Sequence, residues 1–231
     1  MERVPEPELM EEKEQVISYD EADFSEGEVN LINQINHYLL RKNIFLGKKD
    51  LIVDLGCGPG NISEKLAIKW PSTQVVGIDG SKEMILRAEY NKKISTDKKK
   101  LKNLRYICSD IRDIKLDNSL FKKEISLLVS NSLIHHITYP EDFFNTIKSL
   151  SSNNTVNFHK DLKRPLDEKS ALELKAQCSK IYNETLTNDY YASLKASYTF
   201  KELKNFTLEN NLSSLEVFED GDKYLIVYGN V

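Results

Sequence analysis

Eight residues, Val53-Asp54-Leu55-Gly56-Cys57-Gly58-Pro59-Gly60, constrain this chain more than any other stretch. An apolar run over Asp50–Leu55 reads as a buried strand and stops abruptly in three alternating glycines. Asn61–Trp70 then carries Ile62, Leu66 and Trp70 at helical spacing, and Pro71 stops it. Glycine lets backbone pack where a Cβ would collide. A strand–glycine loop–helix unit places a ligand at the carboxyl end of a sheet, beside the free N–H groups that open a helix.

The rest of the chain repeats the alternation. Glu28–Arg41 has Val29, Ile32, Ile35 and Leu39 on a helical face. Gln74–Asp79 is a strand, and Ser81–Asn91 a helix with Ser81 as its N-cap and Met84, Ile85 and Ala88 turned inward. Leu104–Ser109, Ile125–Ser130 and Thr155–Asp161 are strands, with a helix over Glu141–Leu150. Helices over Asp167–Tyr182 and Thr199–Asn210 follow. Leu215–Glu219 and Lys223–Tyr228 are parted only by Asp220-Gly221-Asp222, so they form a hairpin. The pattern predicts an α/β fold: a doubly wound, mostly parallel seven-stranded sheet with helices on both faces and a C-terminal antiparallel hairpin.

Composition narrows the class. The longest near-apolar run, Ile125–Val129, is far short of the roughly 20 residues of a membrane span. Residues 1–29 hold eleven acids and two bases with no apolar core, which is not a signal-peptide pattern. Cys57, Cys108 and Cys178 are too few and scattered for a disulfide framework. These features predict a cytoplasmic protein in two parts: residues 1–29 as an acidic arm or cofactor lid, the first 16 of them acidic, Pro-containing and open to disorder, and residues 30–231 as one domain. The whole chain is −4, but the arm alone is −9, so the rest is +5. The overall charge is therefore no argument against a polyanionic partner. Lys92, Lys93 and Lys98–Lys100 are the lysines that could contribute to such a surface.

The glycine loop has partners at the next two strand ends. Asp79 follows Gly56 by 23 positions in Val75-Val76-Gly77-Ile78-Asp79-Gly80-Ser81, the kind of separation at which an acid binds the two ribose hydroxyls of an adenosine. Ser109-Asp110-Ile111 closes the third strand, where an acid can meet an adenine amino group.

The series resembles class I S-adenosylmethionine-dependent methyltransferases of the small-molecule type. The G-x-G-x-G form after Asp54 is closer to that family's first motif than to the G-x-G-x-x-G of NAD enzymes, and no second domain remains for an oxidoreductase. Ser130-Asn131-Ser132-Leu133-Ile134-His135-His136 is similar to the apolar stretch and His pair that follow the family's fourth strand. The resemblance covers about residues 30–231. It implies that Gly56, Cys57, Gly58 and Gly60 border the methionine portion of S-adenosylmethionine (product S-adenosylhomocysteine). It also implies that Asp54 orders the loop or meets the amino group, and that Asp79 binds the ribose beside Gly80 and Ser81. Met84, Asp110 and Ile111 would hold the adenine, Asn131 would sit near the methionine end, and Tyr19 would belong to a covering segment. Ser151-Ser152-Asn153-Asn154 replaces the glycine pair the family often has before its fifth strand, and Asn tolerates the left-handed backbone such a turn can need.

The acceptor side is read from the carboxyl edge of the sheet. His135 is the candidate catalytic base, since a methyl transfer needs one only where the acceptor must lose a proton. His136, Asp161, Arg164, Tyr190 and Tyr191 are candidate acceptor contacts. His37 and His159 read as structural. His135, His136 and Cys108 lack metal-ligand spacing, so no metal is expected. Three readings stay open: a methyltransferase with a small-molecule acceptor, one acting on RNA or protein, and a non-catalytic cofactor-binding module. The acceptor, the atom methylated and the oligomeric state are left open.

Overall fold

The protein is described from a computed structural model over residues 1–97, 100–114 and 123–231; Lys98 and Lys99 lie outside the described residues. In chain order the strands are β1 (Leu51–Leu55), β2 (Gln74–Asp79), β3 (Leu104–Cys108), β4 (Leu127–Asn131), β5 (Val156–Leu162), β6 (Glu216–Asp220) and β7 (Tyr224–Asn230). They form one sheet in the order β3-β2-β1-β4-β5-β7-β6. β1 to β5 run parallel, whereas β7 is antiparallel to both β5 and β6. The chain steps outward from β1 to β3 and returns to β4 on the other side of β1. That reversal leaves a crevice at the carboxyl ends of β1 and β4, where ligands bind in open α/β sheets.

The helices are α1 (Lys13–Asp20), α2 (Ser25–Arg41), α3 (Asn61–Lys69), α4 (Lys82–Ile94), α5 (Pro140–Leu150), α6 (Glu168–Cys178), α7 (Glu184–Ala196) and α8 (Phe200–Glu209). Side chains alternate faces along a strand. Leu51, Val53 and Leu55 of β1 thus meet Phe143, Phe144 and Ile147 of α5 and Leu203 of α8. Ile52 points to the opposite face, among Leu31 and Ile35 of α2 and Leu66 of α3. Each layer covers one apolar face, as the alternation predicts.

Local signals set several helix ends. The Ser81 hydroxyl accepts from Met84 N and caps α4. Asp167 caps α6 and Asn183 caps α7. Thr199 and Glu202 form a capping box on α8. The turn before β5 contains no left-handed residue: Thr155 N donates to Ser152 O, so the asparagines there need no unusual backbone.

The N-terminal segment is ordered against the domain. Residues 13–20 are helical, and α2 begins at Ser25, so residue 29 falls inside a helix rather than at a boundary. Asp20 at the end of α1 pairs with Arg87 and accepts from Asn91, both on α4. Upstream, the Arg3 guanidinium donates to the carbonyls of Ala196, Thr138, His135 and Ile137 and stacks on Tyr198. Val4 N donates to Lys195 O, and Thr138 N donates to Glu8. The acids that suggested a solvated arm are thus partly spent on the folded domain. The missing helix, α7, lies between the residues read as the end of α6 and the start of α8.

Candidate active site

The site is built on the loop between β1 and α3. Gly56, Gly58 and Gly60 all adopt left-handed φ, at 65°, 52° and 95°. A Cβ on Gly56 would lie 2.6 Å from a Leu133 methyl, and one on Gly60 would run into the Tyr106 hydroxyl. The loop is tied to the second strand: Cys57 N donates to Ile78 O, and Gly58 N donates to an Asp79 carboxylate oxygen at 2.8 Å. The other Asp79 oxygen accepts from Ser81 N, also at 2.8 Å. Burial raises the Asp79 carboxyl despite these two N–H donors.

Asp54 points to the α3 face and accepts from the Ser63 hydroxyl at 2.6 Å. It is almost fully buried, and burial pushes its carboxyl up to about 7, against the Ser63 bond and helped by Asp79. Two acids held this close out of water favour a positively charged guest.

These groups open into a cavity of about 1270 Å³. A pocket for one small ligand runs to roughly 300–1,000 Å³, so this space has room for two. Tyr19, Asp54, Gly56, Cys57, Gly58, Asp79, Gly80, Met84, Asp110, Ile111 and Asn131 line it, as do His135, His136 and Tyr190. The Tyr19 ring packs on Phe24, and burial, then Glu28 and Asp79, holds its phenol above the ordinary tyrosine range. Asp110 gives its carboxylate to Arg112, which binds both oxygens.

Five expected residues are not on the cavity wall. Ser81 is buried, and its hydroxyl donates to Met10 O while capping α4. Gly60 opens α3 beneath Tyr106. Asp161 lies behind His135 rather than against an acceptor. Arg164 turns away to Glu202 and Ser197 O. Tyr191 hydrogen-bonds Glu168 and faces the outside; it follows Tyr190 on α7, and adjacent helical residues point about 100° apart. Lys92 donates to Leu104 O, which ties one of the candidate surface lysines to β3.

The acceptor end centres on His135, which is buried in a short 3₁₀ turn after β4. Its Nδ1 hydrogen-bonds Asp161 Oδ1, and Asp161 Oδ2 accepts from Ile134 N at 2.5 Å. Its Nε2 lies 3.4 Å from Glu6 Oε1, and His136 Nδ1 lies at the same distance from that oxygen. Burial disfavours a charged ring at His135, but Asp161 and Glu6 outweigh it and hold the imidazole above its usual range. His136 is pushed down to about 3 by burial and by His135. Burial raises the Glu6 carboxyl even against the pull of His135.

Sequence reasoning missed Glu6, which the anchored arm delivers from far upstream. It also missed Lys160, a buried cation bonded to Asp220 at 2.6 Å over the Tyr224 ring. Nothing local marks either residue. His159, read as structural, is buried between Ser130 and Asn157.

The fold and this site define a doubly wound domain with an acidic, glycine-floored crevice at the carboxyl edge of its sheet. The methyltransferase-domain family matches residues 46–203, and the chain belongs to that family. Among curated relatives, trans-aconitate 2-methyltransferase of Mycobacterium tuberculosis (strain ATCC 25177 / H37Ra) is 29% identical over 105 residues, 46% of this chain and 34% of that protein. The enzyme of the same name from Azoarcus sp. (strain BH72) is 54% identical over 37 residues, 16% of this chain and 15% of that protein. The matches span only 14–34% of the lengths of these curated relatives. Among solved structures, the plantazolicin methyltransferase BpumL, in complex with a pentazolic desmethylPZN analogue and SAH, superposes with a TM-score of 0.68 at 15% identity, covering 95% of this chain and 91% of that one. A putative S-adenosyl-L-methionine-dependent methyltransferase from Methanococcus maripaludis gives 0.66 at 17% identity, covering 99% and 97%. Both share the fold. Among the described residues, no helix is long and apolar enough to cross a membrane.

Proposed function

We propose that the protein is an S-adenosylmethionine-dependent methyltransferase whose acceptor is a small molecule, neutral or cationic rather than polyanionic. The observation that carries the cofactor half is Asp79, half-buried at the end of β2 and bound to the backbone N–H of Gly58 in the glycine loop and of Ser81 in its own turn. Its remaining lone pairs suit the two hydroxyls of a ribose. Asp54 and the apolar residues Met84 and Ile111 lie on the same wall. The residues fit the cofactor: a buried and a half-buried carboxylate for its positive charges, a glycine floor for close approach, and an apolar flank for the adenine. When bound, S-adenosylmethionine supplies a methyl already activated on a sulfonium.

The chain's part is then mostly positioning. His135 is oriented by Asp161 through Nδ1, which leaves Nε2, beside Glu6 on the cavity wall, as the group to take a proton from an acceptor. Tyr19 and the arm residues Glu6–Met10 form part of the crevice wall, a position from which they shield a bound cofactor. The charge of the lining supports the acceptor class. Among the described residues, twelve Asp and Glu line the cavity against three Lys and Arg, and Lys160 and Arg112 among those three are already paired. A tricarboxylate, the acceptor in the relatives' names, is poorly matched to such a wall.

The test is to incubate the protein and labelled cofactor with a fractionated cell extract. Label should enter a small, non-anionic compound. Label in RNA or protein contradicts the acceptor assignment, and no transfer together with no cofactor binding contradicts the whole reading.

A further inference from the structure

The tip of the N-terminal arm completes a side-chain cluster around His135. Glu6 Oε1, His135 Nε2 and His136 Nδ1 converge, with one ligand atom from each residue within 4.8 Å of the others. The Glu6 side chain is only 8% exposed, yet among the described residues its Oε1 has no hydrogen-bond partner, and neither does His136 Nδ1. Unpartnered buried acceptors are costly, and two of them facing one point ask for a shared cation.

The outer atoms of both rings are engaged in the way metal ligands are. His135 gives its Nδ1 to Asp161, and His136 meets the Pro7 carbonyl. A carboxylate or carbonyl on the far nitrogen fixes the tautomer and aims the other lone pair at the ion. The 3.4 Å separations of Glu6 Oε1 from each nitrogen are also the right size: bonds of about 2.1 Å at tetrahedral angles put ligand atoms about 3.4 Å apart.

We propose that Glu6, His135 and His136 form a binding site for a divalent transition-metal ion of the zinc type. Two imidazoles and one carboxylate select such ions over magnesium or calcium, which prefer oxygen ligands. All three residues line the cavity, so a fourth coordination position opens toward the acceptor space. The ion links the arm at Glu6 to the turn after β4, which clamps the cover over the crevice. Metal ligation takes the Nε2 lone pair of His135, so proton removal by that ring belongs to the metal-free form of the same site. The inference stands on these three side chains and does not depend on the methyltransferase reading.

The test uses the full chain, stripped with a chelator and titrated with Co²⁺ as a spectroscopic probe and with Zn²⁺ by calorimetry. Wild type should give a visible Co²⁺ band saturating at one equivalent, displaced by Zn²⁺ and untouched by excess Mg²⁺. Glu6→Gln and His136→Gln, made separately so that one misfolded variant does not decide the matter, should each weaken binding beyond the roughly 10–100-fold that an outer partner costs. Zn²⁺ should also raise the melting temperature of wild type but not of either variant. Absence of a saturable Co²⁺ band in wild type, or an unchanged band in both variants, overturns the proposal.

Discussion

His135 meets Asp161 through Nδ1 and turns Nε2 toward Glu6 on the cavity wall, so one buried carboxylate decides which way the ring faces. Asp161 also accepts from Ile134 N, so it fixes the turn that carries the ring as well as the ring itself. Asp161→Asn keeps the volume but can donate where a carboxylate only accepts. Once an acceptor is identified, this variant should lose turnover by about 10–100-fold. Its affinity for S-adenosylhomocysteine should stay within about threefold, because Asp161 lies off the cofactor wall. Equal losses in both would place Asp161 in the general stability of the fold.

The buried Asp54 gives the cofactor site a pH dependence with a definite sign. Its folded carboxyl is raised from 3.8 to about 7 by burial. The stability it contributes is complete below the unfolded value and is lost as pH rises through about 7. A cationic guest reverses that cost by favouring the carboxylate. Affinity for S-adenosylhomocysteine, measured by calorimetry, should therefore fall as pH drops below about 7, approaching tenfold per unit. Asp54→Asn should flatten the profile.

The glycine loop can be tested where its backbone is left-handed. Gly60→Ala places a Cβ at φ 95° and against the Tyr106 hydroxyl. The backbone alone costs about 1–3 kcal/mol, which should appear as a lower denaturant midpoint. Adding Tyr106→Phe removes the clashing oxygen and should recover part of the loss; no recovery would mean that the backbone carries the whole penalty.

Much of the domain was legible because its determinants are local. The strands are short apolar runs with glycine or acid at their ends, and Ser81, Asp167 and Thr199 sit as caps where the periodicity starts. The carboxyl ends of those strands gave Asp79, Asp110 and Asn131 directly. The illegible parts depend on contacts between distant segments. Residues 1–20 look solvated because their acids dominate the composition, yet Arg3, Glu8 and Asp20 all find partners far along the chain. Helix α7 lacks a clean apolar stripe, since Leu186 and Leu194 are flanked by Asn188, Asp189 and two tyrosines. Glu6 and Lys160 become visible only when the arm and β5 are brought to one cavity.

The arm itself gives a further prediction. Arg3 holds four backbone carbonyls, and hydrogen bonds from a charged donor contribute about 1.5–3 kcal/mol. Arg3→Ala should therefore lower stability by about 1–3 kcal/mol and speed hydrogen exchange over the first dozen residues. Exchange unchanged there would show that Glu8 and Met10 hold the cover without it.

The central claim is that Asp79 and the glycine loop form a cofactor site, and calorimetric titration with S-adenosylhomocysteine tests it most directly. Wild type should bind one equivalent. Asp79→Ala, which removes the acceptor for Gly58 N and Ser81 N as well as the ribose contact, should weaken binding about 10–100-fold. A wild-type protein that binds neither S-adenosylhomocysteine nor S-adenosylmethionine would contradict the account.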